Sequence, residues 1–441
     1  MRLSRPILIT LVACGTIATL SHAMLAITEA RDGTPLHLTS LAISCVAYLV
    51  ALVIGWRARA TAPAWAIWSI LVFAVAMRLP HLFPATGEGS DIFRYVWDAR
   101  VQRQGYDPLV VIPSDPAYAA IHTPDTRQMQ HTHIPSPYPP AAQLFFRVVT
   151  TASESPRAFK AAAAAADLFG CLVLLSLLRA TGRPDWLVVS YAWNPLVVIE
   201  GARNGHFDAV GALLLVSAAL ALAKRRTLAA TLAFVAAASL KLLPAVLAPL
   251  LWRRIRVRDA AAGAVLLIAL YWPHLGSGVI PIGSLSRVIN RYRFNGPVYQ
   301  WLVGIVEPWA VAWLALAAGL AVAAWLRWRC ASSAPEAWAW PMAVALMLAP
   351  LVYPWYLVWL APFLTTRWTL PLLAWTIAIL PVYVVWAYPP GTGWIVPVWL
   401  LAIEYGAVAV TAILVRRASF SPTSRLPSSE ARPWRWTSSS S

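Results

Sequence analysis

The chain has 441 residues, of which 59% are hydrophobic and only 12% are charged, and its formal net charge is +17. A soluble globular protein carries about twice that charged fraction, so the composition excludes a soluble enzyme or binding domain. Apolar runs of about twenty residues, enough to cross a bilayer, recur along the chain and predict an all-α, polytopic membrane helix bundle.

The positive charge is spread over short clusters between apolar runs. Because basic short loops mark the cytoplasmic side of a membrane protein, the charge is a topology signal. It predicts contact with membrane lipids and no nucleic-acid partner. The clusters are Arg2 and Arg5, Arg57 and Arg59, Arg179 and Arg183, Lys224 to Arg226, Arg253 to Arg258, Arg327 and Arg329, and Arg416 and Arg417.

With a cytoplasmic N-terminus, residues 1–83 form an N-terminal transmembrane region with spans over 6–27, 38–56 and 64–83. Residues 84–156 are too polar for lipid. Because three spans precede them and the N-terminus is cytoplasmic, they lie outside as one long loop with amphipathic helices.

Residues 157–415 form a transmembrane bundle with outer loops, and 416–441 a disordered cytoplasmic tail. About 12 to 14 spans result, with both termini in the cytoplasm. The predicted spans are 158–178, 186–201, 208–223, 260–275, 305–328, 338–352, 357–366, 369–386 and 395–415.

One segment of the bundle does not fit a single crossing. The basic clusters Lys224 to Arg226 and Arg253 to Arg258 both belong in the cytoplasm, and a single helix between them would separate them. Two short helices that turn near Lys241 satisfy both clusters. Broken helices in membranes usually line cavities.

The outer loop concentrates acidic residues. Within it, Asp91, Arg94 and Asp98 share one face of a predicted helix, and Gly89-Ser90 forms its N-cap. A carboxylate in the first turn of a helix suits a general base. The alternative is that Asp91 only satisfies the helix dipole and that Asp98 is a salt-bridge partner of Arg94. The loop's acidic residues are Glu88, Asp91, Asp98, Asp107, Asp115 and Asp125.

Several arginines fall on the predicted outer face, against the positive-inside trend. Such exceptions often bind a phosphate at headgroup level. The alternatives are that they contact lipid headgroups, or that an arginine-rich chain places some arginines outside without a specific role. The cluster of Arg287, Arg291 and Arg293 beside Asn295 favours phosphate. The outer arginines are Arg94, Arg100, Arg103, Arg203, Arg287, Arg291 and Arg293.

Other polar residues have two readings each. Lys241 and Asp167 lie in apolar segments, where they serve a function or form buried ion pairs. His206 is a hydrogen-bond donor or an ordinary loop histidine. The proline-rich turn that carries Tyr138 either only leads the chain into the next helix, or holds an aromatic wall against the site. His131 and His133 lack helical metal-ligand spacing, so we expect no metal.

These motifs, in this order, resemble the family 87 glycosyltransferases, which are polyprenyl-phosphate-mannose-dependent mannosyltransferases of GT-C architecture, together with related bacterial membrane enzymes. The resemblance spans about residues 85 to 365. The matching segments are Asp91 to Asp98, Tyr138-Pro-Pro, Trp193 to Gly201, Asn204 to Asp208, Lys241 to Pro244, Arg293 to Asn295 and Tyr353 to Trp359.

The resemblance implies an inverting transfer from a polyprenyl-phosphate sugar, mannose, to a lipid- or glycan-linked acceptor at the outer face of the plasma membrane, without a cofactor. Asp91 is the implied general base and Asp98 the second candidate. Donor-binding candidates are Arg94, Tyr138, Arg203, His206, Lys241, Arg291 and Arg293, and the pocket is shaped by Asn204, Asp208, Asn295 and Trp355.

One departure from the family pattern stands out. GT-C enzymes commonly place the acidic loop after the first span, whereas three spans precede it here. The alternative function is a transporter or flippase of a lipid-linked or anionic glycoconjugate, which would spread charged groups through both leaflets. A third is a non-catalytic assembly subunit, in which Asp91 would be dispensable.

Overall fold

The structure, a computed structural model, describes residues 5–28, 31–58, 63–87, 90–277, 282–389 and 394–420. Glu88, Gly89 and most of the predicted disordered tail lie outside these residues. Within them the α-helices of six or more residues are α1 (Arg5–Ile27), α2 (Pro35–Ala58), α3 (Ala64–Arg78), α4 (Asp91–Arg103), α5 (Pro140–Ala152), α6 (Pro156–Ala180), α7 (Asp208–Ala223), α8 (Thr227–Leu240), α9 (Val257–Tyr271), α10 (Leu285–Arg291), α11 (Pro297–Leu302), α12 (Pro308–Arg329), α13 (Pro335–Met347), α14 (Leu370–Ala378) and α15 (Val398–Phe420).

Other helical segments connect these helices. Across the described ranges the structure contains no β-strand, and an isolated bridge joins Phe294 and Leu351. The connecting segments, of 3-10, short α or π type, are Leu79–Leu82, Pro116–Ile121, Thr126–Gln128, Asp185–Val188, Val189–Ala192, Pro195–Val198, Ile199–Arg203, Leu243–Leu251, Trp272–Ser277, Pro354–Trp359, Ala361–Phe363, Arg367–Thr369 and Leu380–Ala387.

Among the described residues, eight helical stretches are long and apolar enough to cross a membrane. Two shorter apolar helices, α7 and α8, accompany them. The predicted all-α, polytopic membrane bundle is thereby confirmed. The eight stretches are Ile7–Ile27, Pro35–Trp56, Ala64–Leu82, Pro156–Ala180, Val257–Gly276, Pro308–Arg329, Arg367–Ala387 and Val398–Ala418.

The turn predicted near Lys241 is present. Helix α8 ends at Leu240, Lys241 is extended, and the 3-10 segment Leu243–Leu251 follows. The break is local in origin, because Pro244 lacks an amide hydrogen and suits the first turn of a new helix. It leaves the Lys241 side chain at the junction between two helical segments.

The segment 186–201, predicted as one span, is instead broken into 3-10, α and π pieces. Asn194 causes one break, because its side chain accepts a hydrogen bond from Leu196 N at 3.1 Å and caps a new helix at Pro195. A π-helical turn over Ile199–Arg203 then widens the backbone. Such single turns occur frequently at functional sites.

A buried ion pair joins α3 to α6. Arg78 Nε lies 2.5 Å from Asp167 Oδ2, and both side chains are essentially unexposed. Arg78 also donates to the carbonyls of Ala74 and Ala192 at 2.8 and 2.9 Å. Of the two readings of Asp167, the structure therefore shows the ion pair.

The polar segment 84–156 is anchored to one end of the bundle by aromatic rings. Tyr95 of α4 stacks on Phe146 of α5 with ring centroids 4.4 Å apart. Tyr95 also contacts Phe159 in α6 and Phe207, which directly precedes α7. This packing fixes the N-terminus of α4 against the segment that carries His206.

Candidate active site

Asp91 opens helix α4, as the sequence predicted. Ser90 is the N-cap, and its hydroxyl accepts a hydrogen bond from Ile92 N at 3.4 Å. The Asp91 side chain is 38% exposed, so a substrate can reach its carboxylate. The free amides of the first turn favour negative charge at this position.

Asp98 lies about two helical turns further along α4, in different surroundings. Its carboxylate is fully buried, pairs with Arg94 Nε at 2.9 Å, and accepts bonds from Ser136 Oγ at 2.5 Å and Gln143 Nε2 at 2.9 Å. Burial raises the pKa of Asp98, although Arg94 and the two bonds act in the opposite direction. Arg94 also donates to Ile134 O at 3.1 Å. Asp98 and Arg94 therefore fasten the polar segment to α4.

His206 lies directly beside Asp91. Its Nε2 is 3.8 Å from Asp91 Oδ2, and its Nδ1 is 2.6 Å from Glu200 Oε2. Gly205 makes this approach possible, because it has a φ of +65° and an added Cβ would lie 2.7 Å from Ile92 Cδ1. Burial lowers the pKa of His206, but Glu200, followed by Asp91 and Asp208, outweighs burial and raises it.

Lys241 reaches the same region from the break after α8. Its Nζ lies 2.6 Å from Asp208 Oδ1 and 3.7 Å from the centre of the Tyr356 ring. Asp208 also accepts a bond from Trp359 Nε1 at 2.5 Å. Asp208 is buried, whereas the Lys241 side chain is 20% exposed. The ion pair compensates the charge of the buried Asp208 carboxylate.

Aromatic rings form one wall of the site. The Trp355 ring stacks on the Tyr353 ring with centroids 4.4 Å apart, and it packs on the His206 ring with centroids 4.3 Å apart. The Phe294 ring stacks on the other face of Tyr353 at a centroid distance of 4.6 Å. Tyr138 closes a second side, and burial together with the Asp91 carboxylate raises the pKa of Tyr138 well above its usual range. Its hydroxyl therefore stays protonated and available as a donor.

A predicted donor-binding residue, Arg203, and a predicted pocket residue, Asn204, lie behind this site and hold it in place. Arg203 Nε pairs with Asp32 Oδ1 at 3.0 Å, in the connection between α1 and α2. Asn204 Nδ2 donates to Glu200 Oε2 at 3.0 Å. The N-terminal spans thus contribute a carboxylate that fixes the arginine of the His206 segment.

The cluster around α10 shows different contacts. Arg291 is exposed at the end of α10, and Arg293 donates to the carbonyls of Ile289, Asn290 and Tyr292 at 2.8–3.1 Å. A cation suits these C-terminal carbonyls, which have no helical partner. Asn295 is buried and donates to Glu404 in α15 at 3.0 Å.

The structure thus brings Asp91, Tyr138, His206, Lys241 and Trp355 together, with Asp208 beneath them. Arg293 instead contacts its own helix end, Asn295 contacts α15, and Arg291 is exposed at the end of α10.

Two residues that sequence reasoning left without a role complete the site. Glu200 is fully buried and accepts bonds from His206, Asn204 and the Tyr383 hydroxyl. The cost of an acidic residue inside an apolar segment was a usable signal for Glu200. Tyr383 gave no such signal, since tyrosine is common in membrane helices. In the described part of the chain, no three His, Cys, Asp or Glu residues are grouped to hold a metal ion.

The comparisons with known proteins give a family. Residues 7–255 match the family model described as "Alpha-(1->6)-mannopyranosyltransferase, N-terminal domain". The solved structure of ArnT from Cupriavidus metallidurans bound to undecaprenyl phosphate is similar, with 15% identity over 80% of this chain and 72% of that chain and a TM-score of 0.47. No curated protein matches the chain. Because the family model covers more than half of its length, the chain belongs to the α-(1→6)-mannopyranosyltransferase family and is a membrane glycosyltransferase, as its resemblance to GT-C mannosyltransferases predicted.

Proposed function

We propose that the protein transfers mannose from a polyprenyl-phosphate donor to a hydroxyl group of a lipid- or glycan-linked acceptor. The observation that carries this proposal is the meeting of a partly exposed carboxylate, Asp91, with His206 and Lys241. These three residues lie far apart in the chain, and each lies in a segment that resembles the polyprenyl-phosphate-mannose-dependent enzymes. Membership of a mannopyranosyltransferase family supports mannose as the transferred sugar.

Asp91 acts as the general base in this proposal. It accepts the proton of the acceptor hydroxyl while that oxygen attacks the anomeric carbon of the donor. The bond from the anomeric carbon to the phosphate oxygen breaks, and its electron pair leaves with the lipid phosphate. A single displacement inverts the anomeric configuration, so an α-linked product requires a β-linked donor.

Lys241 and His206 stabilise the leaving phosphate. A phosphate leaves as an anion and needs no strong general acid, but it gains from fixed positive charge and donors in a site with little water. The ammonium of Lys241 is held by Asp208 and the Tyr356 ring, so its position is set before the donor binds. Tyr138 and Trp355 shape the pocket around Asp91.

We place the site on the non-cytoplasmic face of the plasma membrane, with both termini in the cytoplasm. The basic clusters between spans support this orientation, because short basic loops stay in the cytoplasm. Cysteine introduced at Thr123 should react with an impermeant reagent added from outside intact cells. Labelling only after the membrane is opened would reverse the orientation.

The transfer itself is tested in membranes that carry the protein. Radiolabelled polyprenyl-phosphate mannose is supplied with membrane acceptors, and wild type is compared with Asp91→Asn. We expect a loss of about 100- to 10,000-fold in the variant, the usual contribution of general base catalysis. Equal transfer by both would remove Asp91 as the base. Movement of the intact donor across the membrane, without sugar transfer, would instead indicate a flippase.

A further inference from the structure

Glu200 contacts His206 at Nδ1, whereas Asp91 lies nearest the other ring nitrogen, Nε2. The Glu200 carboxylate is fully buried and accepts bonds from three donors, which are His206 Nδ1 at 2.6 Å, Asn204 Nδ2 at 3.0 Å and the Tyr383 hydroxyl. A buried carboxylate is costly unless a cation and hydrogen bonds compensate it. Among these three donors, only the imidazole of His206 can carry a positive charge.

The orientation of His206 is fixed from several directions. The backbone N–H of His206 donates to Glu200 O at 2.9 Å, so the backbone and the ring are both tied to the same residue. The Trp355 ring covers one face of the imidazole. With Nδ1–H donated to Glu200, the other nitrogen, Nε2, faces Asp91 at 3.8 Å.

We propose that Glu200 is a positioning residue that keeps His206 a doubly protonated imidazolium, with its Nε2–H directed into the space beside Asp91. The inference rests on the proposed transferase function. His206 is then a fixed cationic donor and not a second base. Its Nε2–H can serve the Asp91 carboxylate or an oxygen of the leaving phosphate, and the 3.8 Å separation leaves room for the contact to tighten when the donor binds.

The charged groups around His206 support this protonation state. Glu200 faces the ring from the π-helical turn, Asp91 from the start of α4 and Asp208 from the start of α7. Lys241 offsets part of the charge of Asp208, with which it pairs at 2.6 Å. The net effect is a raised pKa of His206, so the imidazolium persists at higher pH than in a free histidine.

The test is the pH dependence of transfer in Glu200→Gln. Glutamine keeps the size of Glu200 and one acceptor oxygen for the bonds from His206 and Asn204, and its NH2 group can donate to the Tyr383 hydroxyl. It removes the charge that holds the proton on His206. Because activity requires the imidazolium, we expect the alkaline limb of the kcat/KM profile to move to lower pH by at least about one unit. Glu200→Asp keeps the charge, and its limb should stay within about half a unit of wild type.

Glu404→Gln is the matched control, since Glu404 is also a fully buried carboxylate but bonds to Asn295 and Trp375. Its pH profile should have the wild-type alkaline limb. An unshifted limb in Glu200→Gln, or an equal shift in Glu404→Gln, would overturn the assignment.

A second readout does not depend on catalysis. In the detergent-solubilised full chain labelled with ¹⁵N-histidine, the His206 signal is identified by its absence in His206→Gln. We expect His206 to lose its proton at lower pH in Glu200→Gln than in wild type. Identical titrations would refute the Glu200 proposal even if transfer is observed. Absence of transfer by wild type at every pH would refute the proposed function, and the titration would still decide the role of Glu200.

Discussion

The pairing of Lys241 with Asp208 allows the structural and catalytic roles of the lysine to be separated. Lys241→Met removes the ammonium that lies 2.6 Å from Asp208, whose side chain is only 1% exposed. The carboxylate then keeps its hydrogen bond from the Trp359 indole but loses its cation. Breaking a buried pair from one side costs about 3–5 kcal/mol. We therefore expect a large loss of thermal stability in detergent, together with lost transfer.

The double variant Lys241→Met/Asp208→Asn distinguishes the two roles. It removes both charges, so the stability should return to within about 1 kcal/mol of wild type. Transfer should stay low, because a charged hydrogen bond to the leaving phosphate is worth about 1.5–3 kcal/mol, or roughly 10- to 150-fold in kcat/KM. Thermal unfolding and transfer kinetics are measured on the same preparation. Full recovery of both stability and transfer would show that Lys241 serves only to neutralise Asp208.

Three further predictions concern packing and the aromatic wall. Arg78→Met leaves Asp167 buried without its cation and should lower the free energy of unfolding by about 3–5 kcal/mol, which the double variant Arg78→Met/Asp167→Asn should restore. No change in thermal denaturation of Arg78→Met would contradict this. Gly211→Ala places a Cβ against the Trp359 ring, well inside van der Waals contact, and should lower the free energy of unfolding by about 1–3 kcal/mol. The melting temperature should fall, and an unchanged value would mean that the ring moves away freely. Trp355→Ala uncovers one face of the site imidazole and should lower kcat/KM by at least about tenfold, and wild-type kinetics would exclude the stack from the site.

Much of the fold follows directly from the sequence. Long apolar runs specify helices such as α1, α6 and α12, whose observed bounds lie within a few residues of the predicted ones. The break at Lys241 was also predictable, because two basic clusters and Pro244 leave few alternatives. The broken segment around Pro195 was not predicted, since its apolar run reads equally well as one helix.

The site was harder to predict than the helices. Helical period places Asp91 and Asp98 on one face of α4, and it carries no information about what surrounds them. The difference between an exposed and an enclosed carboxylate comes from Ser136 and Gln143, which lie far from α4 in the chain. Glu200 likewise accepts a bond from the Tyr383 hydroxyl, which lies far along the chain and gives no signal in the sequence.

The buried pair of Arg78 and Asp167 has a consequence for biosynthesis. Asp167 lies near the middle of α6, where a lone aspartate costs about 2.5–3.5 kcal/mol during insertion into the membrane. Its partner arrives with α3, before the long polar segment 84–156 has been synthesised. We expect α3 to remain near the insertion machinery until α6 emerges, so that the two helices enter the lipid as a neutral unit. On this expectation, electrostatic pairing between helices that are distant in the chain sets part of the assembly order.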